Sequence, residues 1–201
     1  MAFIFGKMGA DEIGTYYIAI NLTMVTVAAF VQCSLIAEEK EKNTLRGLML
    51  SPASTLEILG GKSLLSLVAT LIMVVVSFLL MGYQPKNTFV IAIAIILSAI
   101  FFIILGTLLG LLSKSVMEAS VLISPFMLVF GFGSMFTVFA DEYPILKVMD
   151  YTPNIQLLTI AEKVESGIGI VGVSQNLGII AVWIIVISLI TIVVFKKRMT
   201  D

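Results

Sequence analysis

Five stretches of this chain run without a single charge, at residues 13–37, 63–85, 87–113, 119–140 and 166–195. Each exceeds the roughly 20 residues that a helix needs to cross the hydrocarbon core of a bilayer. Apolar residues follow one another there without the alternation of a barrel strand, and lipid offers no partner to open backbone groups. The pattern therefore predicts an all-α, polytopic transmembrane helix bundle with five spans, at residues 14–37, 63–82, 89–112, 119–139 and 176–195. A further uncharged interval, 151–161, is too short to cross.

The interruptions carry their own signals. Residues 38–62 are both charged and helix-forming. Asn43 or Thr44 can cap a helix running to about Leu50, and Ser51-Pro52 then breaks it. Ser54-x-x-Glu57 has capping-box spacing and starts the helix that enters the second span. Leu45, Leu48, Met49 and Leu50 offer an apolar grip to a partner's groove. Residues 82–88 read as a tight turn around Pro85. Residues 141–175 are long and hold Pro144, Pro153 and two mainly apolar stretches. Ile155, Leu158 and Ala161 recur there at near-helical spacing, which predicts short interfacial helices at or dipping into the outer surface, against the plainer reading of an external loop. The expected organisation is one transmembrane domain over 1–201, a cytoplasmic coupling segment at 38–62 and an extracytoplasmic segment at 141–175.

Composition agrees with this pattern. Of 201 residues, 59% are apolar and 12% charged, where a soluble domain carries about 25% charged residues. A net charge of −1 implies no nucleic-acid surface. The absence of histidine removes His-based metal sites, triads and proton relays. Cys33, the single cysteine, excludes an intrachain disulfide and reads as a small packing residue. The first residues do not resemble a cleaved signal peptide. With 38–62 inside, eight of the twelve Lys and Arg residues fall on the cytoplasmic side, including the Lys196-Lys197-Arg198 cluster. The C-terminus is then cytoplasmic and the N-terminus outside, an arrangement that would suit either a further span upstream of Met1 or residues 1–7 as the remnant of one.

Within the spans, Asn21 and Gln32 lie about three turns apart on one face. Such a face either lines a substrate pathway or pairs with another helix, and Val25 and Ala28 between them favour packing. Gly106-x-x-x-Gly110 predicts close helix contact. Pro125 with Gly131 and Gly133 predicts a kinked fourth span. No expected span holds a charged residue, which argues against a proton-coupled carrier. Lys114 and Glu118, in the short inner connection, read either as a second inner contact or as an i,i+4 ion pair. Gly61-Lys62-Ser63 copies the tail of a phosphate-binding loop, but Leu56 stands where its first glycine is required and no strand precedes it. No catalytic residues and no metal ligands emerge.

Glu39-Lys40-Glu41-Lys42-Asn43-Thr44-Leu45, Leu48-Met49-Leu50-Ser51-Pro52 and Glu57-Ile58-Leu59-Gly60-Gly61-Lys62 together resemble the cytoplasmic signature of type-2 ATP-binding-cassette (ABC) transporter permeases. That signature has the form E-K-E-x-G-T-L-E-x-L-L-x-[ST]-P-x-x-x-x-E-x-x-x-G-K. Asn43 replaces its usual glycine and Arg46 its usual glutamate. The resemblance implies six spans, of which this chain holds five, a cytoplasmic coupling helix, and re-entrant or interfacial helices before the last span. It implies docking to an ATPase through Glu39, Glu41, Thr44, Leu45, Leu48, Pro52 and Glu57. It also implies that ATP and Mg are held by that separate subunit, with no cofactor on this chain. A homodimer or heterodimer of permeases in the lipid bilayer of the cell membrane would form the conduit. The alternative is a membrane anchor or assembly protein that transports nothing. An intramembrane enzyme is disfavoured, since no span offers a nucleophile–base pair.

Overall fold

The computed structural model describes residues 13–42, 55–137 and 142–200, with the side chains at 55–59 and 198–200 outside that description. Among the described residues there are helices and turns but no strand. Helix α1 spans Ile13–Glu41 and contains a π-helical stretch at Met24–Phe30. It is followed by α2 (Thr55–Met81), α3 (Thr88–Leu112), α4 (Val116–Gly131) and the short α5 (Gly133–Thr137). A 3-10 helix at Pro144–Tyr151 leads into α6 (Pro153–Glu165), and α7 (Ile170–Thr200) closes the chain.

Among the described residues, four helices are long and apolar enough to cross a membrane: Ile13–Glu41, Gly60–Met81, Thr88–Leu112 and Ile170–Lys197. The expected fourth span is divided. Its continuous part is the 16-residue α4, about 24 Å at helical rise. The chain breaks at Phe132, between Gly131 and Gly133, and resumes as α5. Pro125 sits inside α4 without ending it. The proline removes the donor that would bond the Val121 carbonyl. The Ser124 hydroxyl donates to that same carbonyl at 2.8 Å, so the freed acceptor keeps a partner inside lipid.

Helix α3 is the axis of the bundle. Of its most apolar window 61% is buried, against 28% for α2 and 11% for α7. It packs on α1 through glycines. A Cβ on Gly106 would collide with the Ala29 carbonyl, and one on Gly110 would come within 2.7 Å of the Cys33 carbonyl. Ala29, Cys33 and Ala37 present small, buried residues every fourth position on the facing helix. The motif read as close contact is therefore met by small residues on both sides. Across the bundle, Phe101 and Phe102 both meet Phe130 edge-on and Phe101 also meets Trp183, with centroids 5.5–6.1 Å apart.

Two turns set the ends. Gly82 (φ +67) closes α2, with its amide bonded to Leu79 and the Tyr83 amide to Phe78. Gly167 (φ +89) closes α6 in the same way on Val164 and Lys163. Both are left-handed caps that a side chain would strain. The short helices expected before the last span are present; the 3-10 helix at Pro144–Tyr151 buries none of its residues, whereas α6 packs into the bundle. Pro153, Asn154, Leu157, Ile160, Ala161 and Val164 form the buried face of α6. Leu158, from the triplet that signalled helix in the sequence, is only half-buried. The Trp183 indole, about 20 Å down α7 from Ile170, donates to the Tyr151 carbonyl at 2.7 Å. Residues 151–165 thus dip deep into the bundle and return.

Candidate functional site

Three consecutive residues at the end of α1 reach three different helices. Glu39 forms an ion pair with Lys62 of α2. Lys40 donates to the carbonyls of Leu111, at 2.5 Å, and Ser113. Those carbonyls close α3, where the helix dipole is negative and a cation is favoured. Glu41 accepts the Val116 amide at 2.9 Å. That amide opens α4, where the dipole is positive and a carboxylate is favoured. Glu38 and Lys42 pair along the helix surface at 2.5 Å and are both exposed. Leu35, Glu38, Glu39, Lys42 and Lys62 line an open pocket of about 240 Å³ at this end.

The loop from α3 to α4 is built around the same point. Ser115 caps α4 by accepting the Glu118 amide at 3.2 Å, and Glu118 accepts the Lys114 amide at 2.7 Å. The contact between Lys114 and Glu118 is therefore a capping interaction through the backbone, where the sequence suggested an ion pair between side chains. Ser113 is fully buried beneath, its hydroxyl on the Leu109 carbonyl at 2.8 Å.

Of the residues expected to dock a partner, Glu39 and Glu41 stand at this end. Thr44, Leu45, Leu48 and Pro52 lie outside the described residues, as does the side chain of Glu57, whose backbone belongs to α2. The helix expected from Asn43 or Thr44 to Leu50 lies outside them too. Lys40, Lys62 and Ser115 also stand at this end, beyond the residues that the sequence pointed to. The signals were legible: Lys40 separates two selected glutamates, and Ser115-x-x-Glu118 has capping-box spacing.

Asn21 and Gln32 are both buried within the protomer, at 1% and 0% exposure. The Gln32 amide donates to Ser63 at 3.3 Å and Thr107 at 3.0 Å, and its carbonyl accepts from Ser66 at 2.6 Å. One side chain thereby ties α1, α2 and α3, one turn and more above the charged end. Asn21 donates to the Asn154 carbonyl at 3.3 Å and ties α1 to α6. Both arrangements support the packing reading of these residues.

The opposite end is clamped by aromatic and polar contacts. Tyr83 stacks on Tyr16 at 5.1 Å and meets Tyr17 and Phe78 at angles. Its hydroxyl donates to Glu165 at 2.9 Å, and Lys86 binds the same residue through its amide at 3.2 Å and its ammonium. Burial, and then the Glu165 carboxylate, push the Tyr83 hydroxyl well above its ordinary value. Lys163 joins Asn176 at 2.8 Å, and Asn176 donates to Gln156 at 2.7 Å.

A family model, that of the ABC-2 family transporter proteins, matches residues 7–193. No curated protein and no solved structure matches the chain.

Proposed function

The chain belongs to the ABC-2 transporter family, and from that premise we propose that it is the permease subunit of an ATP-driven exporter. It is a multi-pass membrane protein of a transport complex, and its family pairs with an ATP-binding cassette subunit. In our reading ATP and Mg are bound and hydrolysed on that partner, while this chain has no catalytic site of its own. Two permease subunits, alike or related, enclose the route in the cell membrane, because so few spans make a poor conduit alone. The end carrying residues 38–62 and the C-terminus faces the cytoplasm.

One observation carries this reading. The residues that end α1, just before segment 43–54 in the sequence, are bonded to three other helices. Glu39 ties α1 to α2, Lys40 ties it to α3 and Glu41 ties it to α4. A push from a partner on this segment, through Thr44, Leu45, Leu48, Pro52 and Glu57, reaches four helices at once. Such a push requires only that the ATPase contact differ between two states of the complex. Lys114 and Glu118, beside Val116, supply a second inner contact. The charge-free spans suit an apolar or amphipathic cargo.

The test is a double variant, Glu41→Arg with Leu48→Ala. The chain should still insert, and transport by the reconstituted complex should be abolished. Normal co-purification of the ATPase together with normal transport would overturn the reading.

A further inference from the structure

The tip of the re-entrant segment carries more polar groups than it can satisfy. Helix α6 begins at Pro153 with no side-chain cap on its first turn, because the Thr152 hydroxyl turns back to the Met149 carbonyl at 2.5 Å. Asn154, in that turn, is fully buried, and neither polar atom of its side chain has a partner. Asn21 of α1 is 1% exposed. Its amide nitrogen touches the Asn154 carbonyl, and its own side-chain oxygen is also without a partner. Gly133 of α5 closes the third side, since a Cβ there would run into the Asn154 amide. The hydroxyl of Ser134, next in the chain, is a further buried and unpartnered atom.

These groups meet where three elements converge. Asn21 lies about 12 Å along α1 from Ile13, and the turn before α6 lies about 20 Å along α7. A polar group at that depth has no bulk water to fall back on. Buried polar groups are almost always bonded to protein or to ordered water. Gln32 shows how this fold treats a polar side chain it means to keep dry, with its amide and its carbonyl both bonded by neighbours. Asn154 and Asn21 receive no such treatment. The uncapped helix start adds the positive end of the α6 dipole, which favours a ligand's lone pair.

We propose that the tip of α6 is an internal hydration site, in which water accepts from the Asn154 amide and donates to the side-chain oxygens of Asn21 and Asn154. Water that accepts from one group and donates to two others makes the number of bonds usual for a buried water. The ligand is water, and the consequence is a wet point at the foot of the re-entrant helix. That point lowers the cost of moving α6 against α1, because the polar groups uncovered by the motion are already hydrated. The inference concerns the fold and stands whether or not the docking reading holds.

Water-edited solid-state NMR of the labelled protein in nanodiscs tests it, with water as the probe. Side-chain amide signals are assigned by their loss in Asn154→Leu and Asn21→Leu, and Gln32 serves as the dry internal reference. The Asn154 and Asn21 amides should gain signal from water at least threefold faster than Gln32. Equal build-up at all three would overturn the proposal. Should either leucine variant fail to fold, Asn154→Asp and Asn21→Asp serve for assignment. Thermal unfolding supplies a second readout. Asn154→Ser, which keeps a hydroxyl to bind the water, should unfold at a temperature closer to the parent than Asn154→Val does. The reverse order would contradict it.

Discussion

Gly106 and Gly178 are both glycines within long helices, and their surroundings give them opposite fates. A methyl on Gly106 has no room, because the Ala29 carbonyl occupies its place. A methyl on Gly178 meets open space. Overpacking of this kind costs about 1–3 kcal/mol, whereas alanine for an unconstrained helical glycine gains up to about 1 kcal/mol. Gly106→Ala should therefore lower the unfolding temperature in detergent and Gly178→Ala should hold or raise it. Gln32 gives a second residue-scale prediction. Gln32→Leu deletes three hydrogen bonds between helices, at roughly 0.6 kcal/mol each in a membrane protein. We expect a loss of about 2 kcal/mol in unfolding free energy with the cargo preference of the surviving protein unchanged. A variant of full stability with altered cargo preference would restore Gln32 to the pathway.

At the scale of elements, Tyr83 pins the α2–α3 turn to the end of α6. Tyr83→Phe removes its bond to Glu165 and keeps the stacking on Tyr16, for a loss of about 1 kcal/mol. The hydroxyl's folded pKa lies above its unfolded value of about 10. Its contribution is then complete below that unfolded value and is lost only as pH rises through the folded one. The stability difference between parent and Tyr83→Phe should stay constant from about pH 6 to 9 in chemical unfolding. The elements themselves were largely legible in the sequence, because charges sit only where helices end. The uncharged runs located the apolar stretches of α1, α2, α3 and α7, although α2 and α7 begin several residues before the spans expected at 63 and 176. The Gly131–Gly133 pair pointed to a fourth span that is not straight. The sequence could not reveal that the weak point is Phe132 and that Pro125 is tolerated, since Ser124 repairs the proline's missing bond across one turn. Nor could spacing reveal how deep α6 sits. Its buried face is set by packing on α1, α3 and α7, and Leu158 looks as apolar in sequence as Leu157.

For the whole molecule, α3 is the fixed core and the charged end is where the other helices are tied to it. Glu39 and Glu41, which flank Lys40, were expected from the sequence to dock a partner. The role of all three as bonds from α1 to α2, α3 and α4 depends on helix termini that only the folded chain brings together. Docking and transmission can be separated at Lys40. Its ammonium binds the carbonyls at the end of α3, and the residues expected to grip the ATPase lie on either side of it. The decisive measurement is transport and ATP hydrolysis, side by side, in liposomes holding the complex with Lys40→Met. We predict that the ATPase still co-purifies and still hydrolyses ATP while transport falls at least tenfold. Transport in step with hydrolysis at the parent ratio would contradict the account.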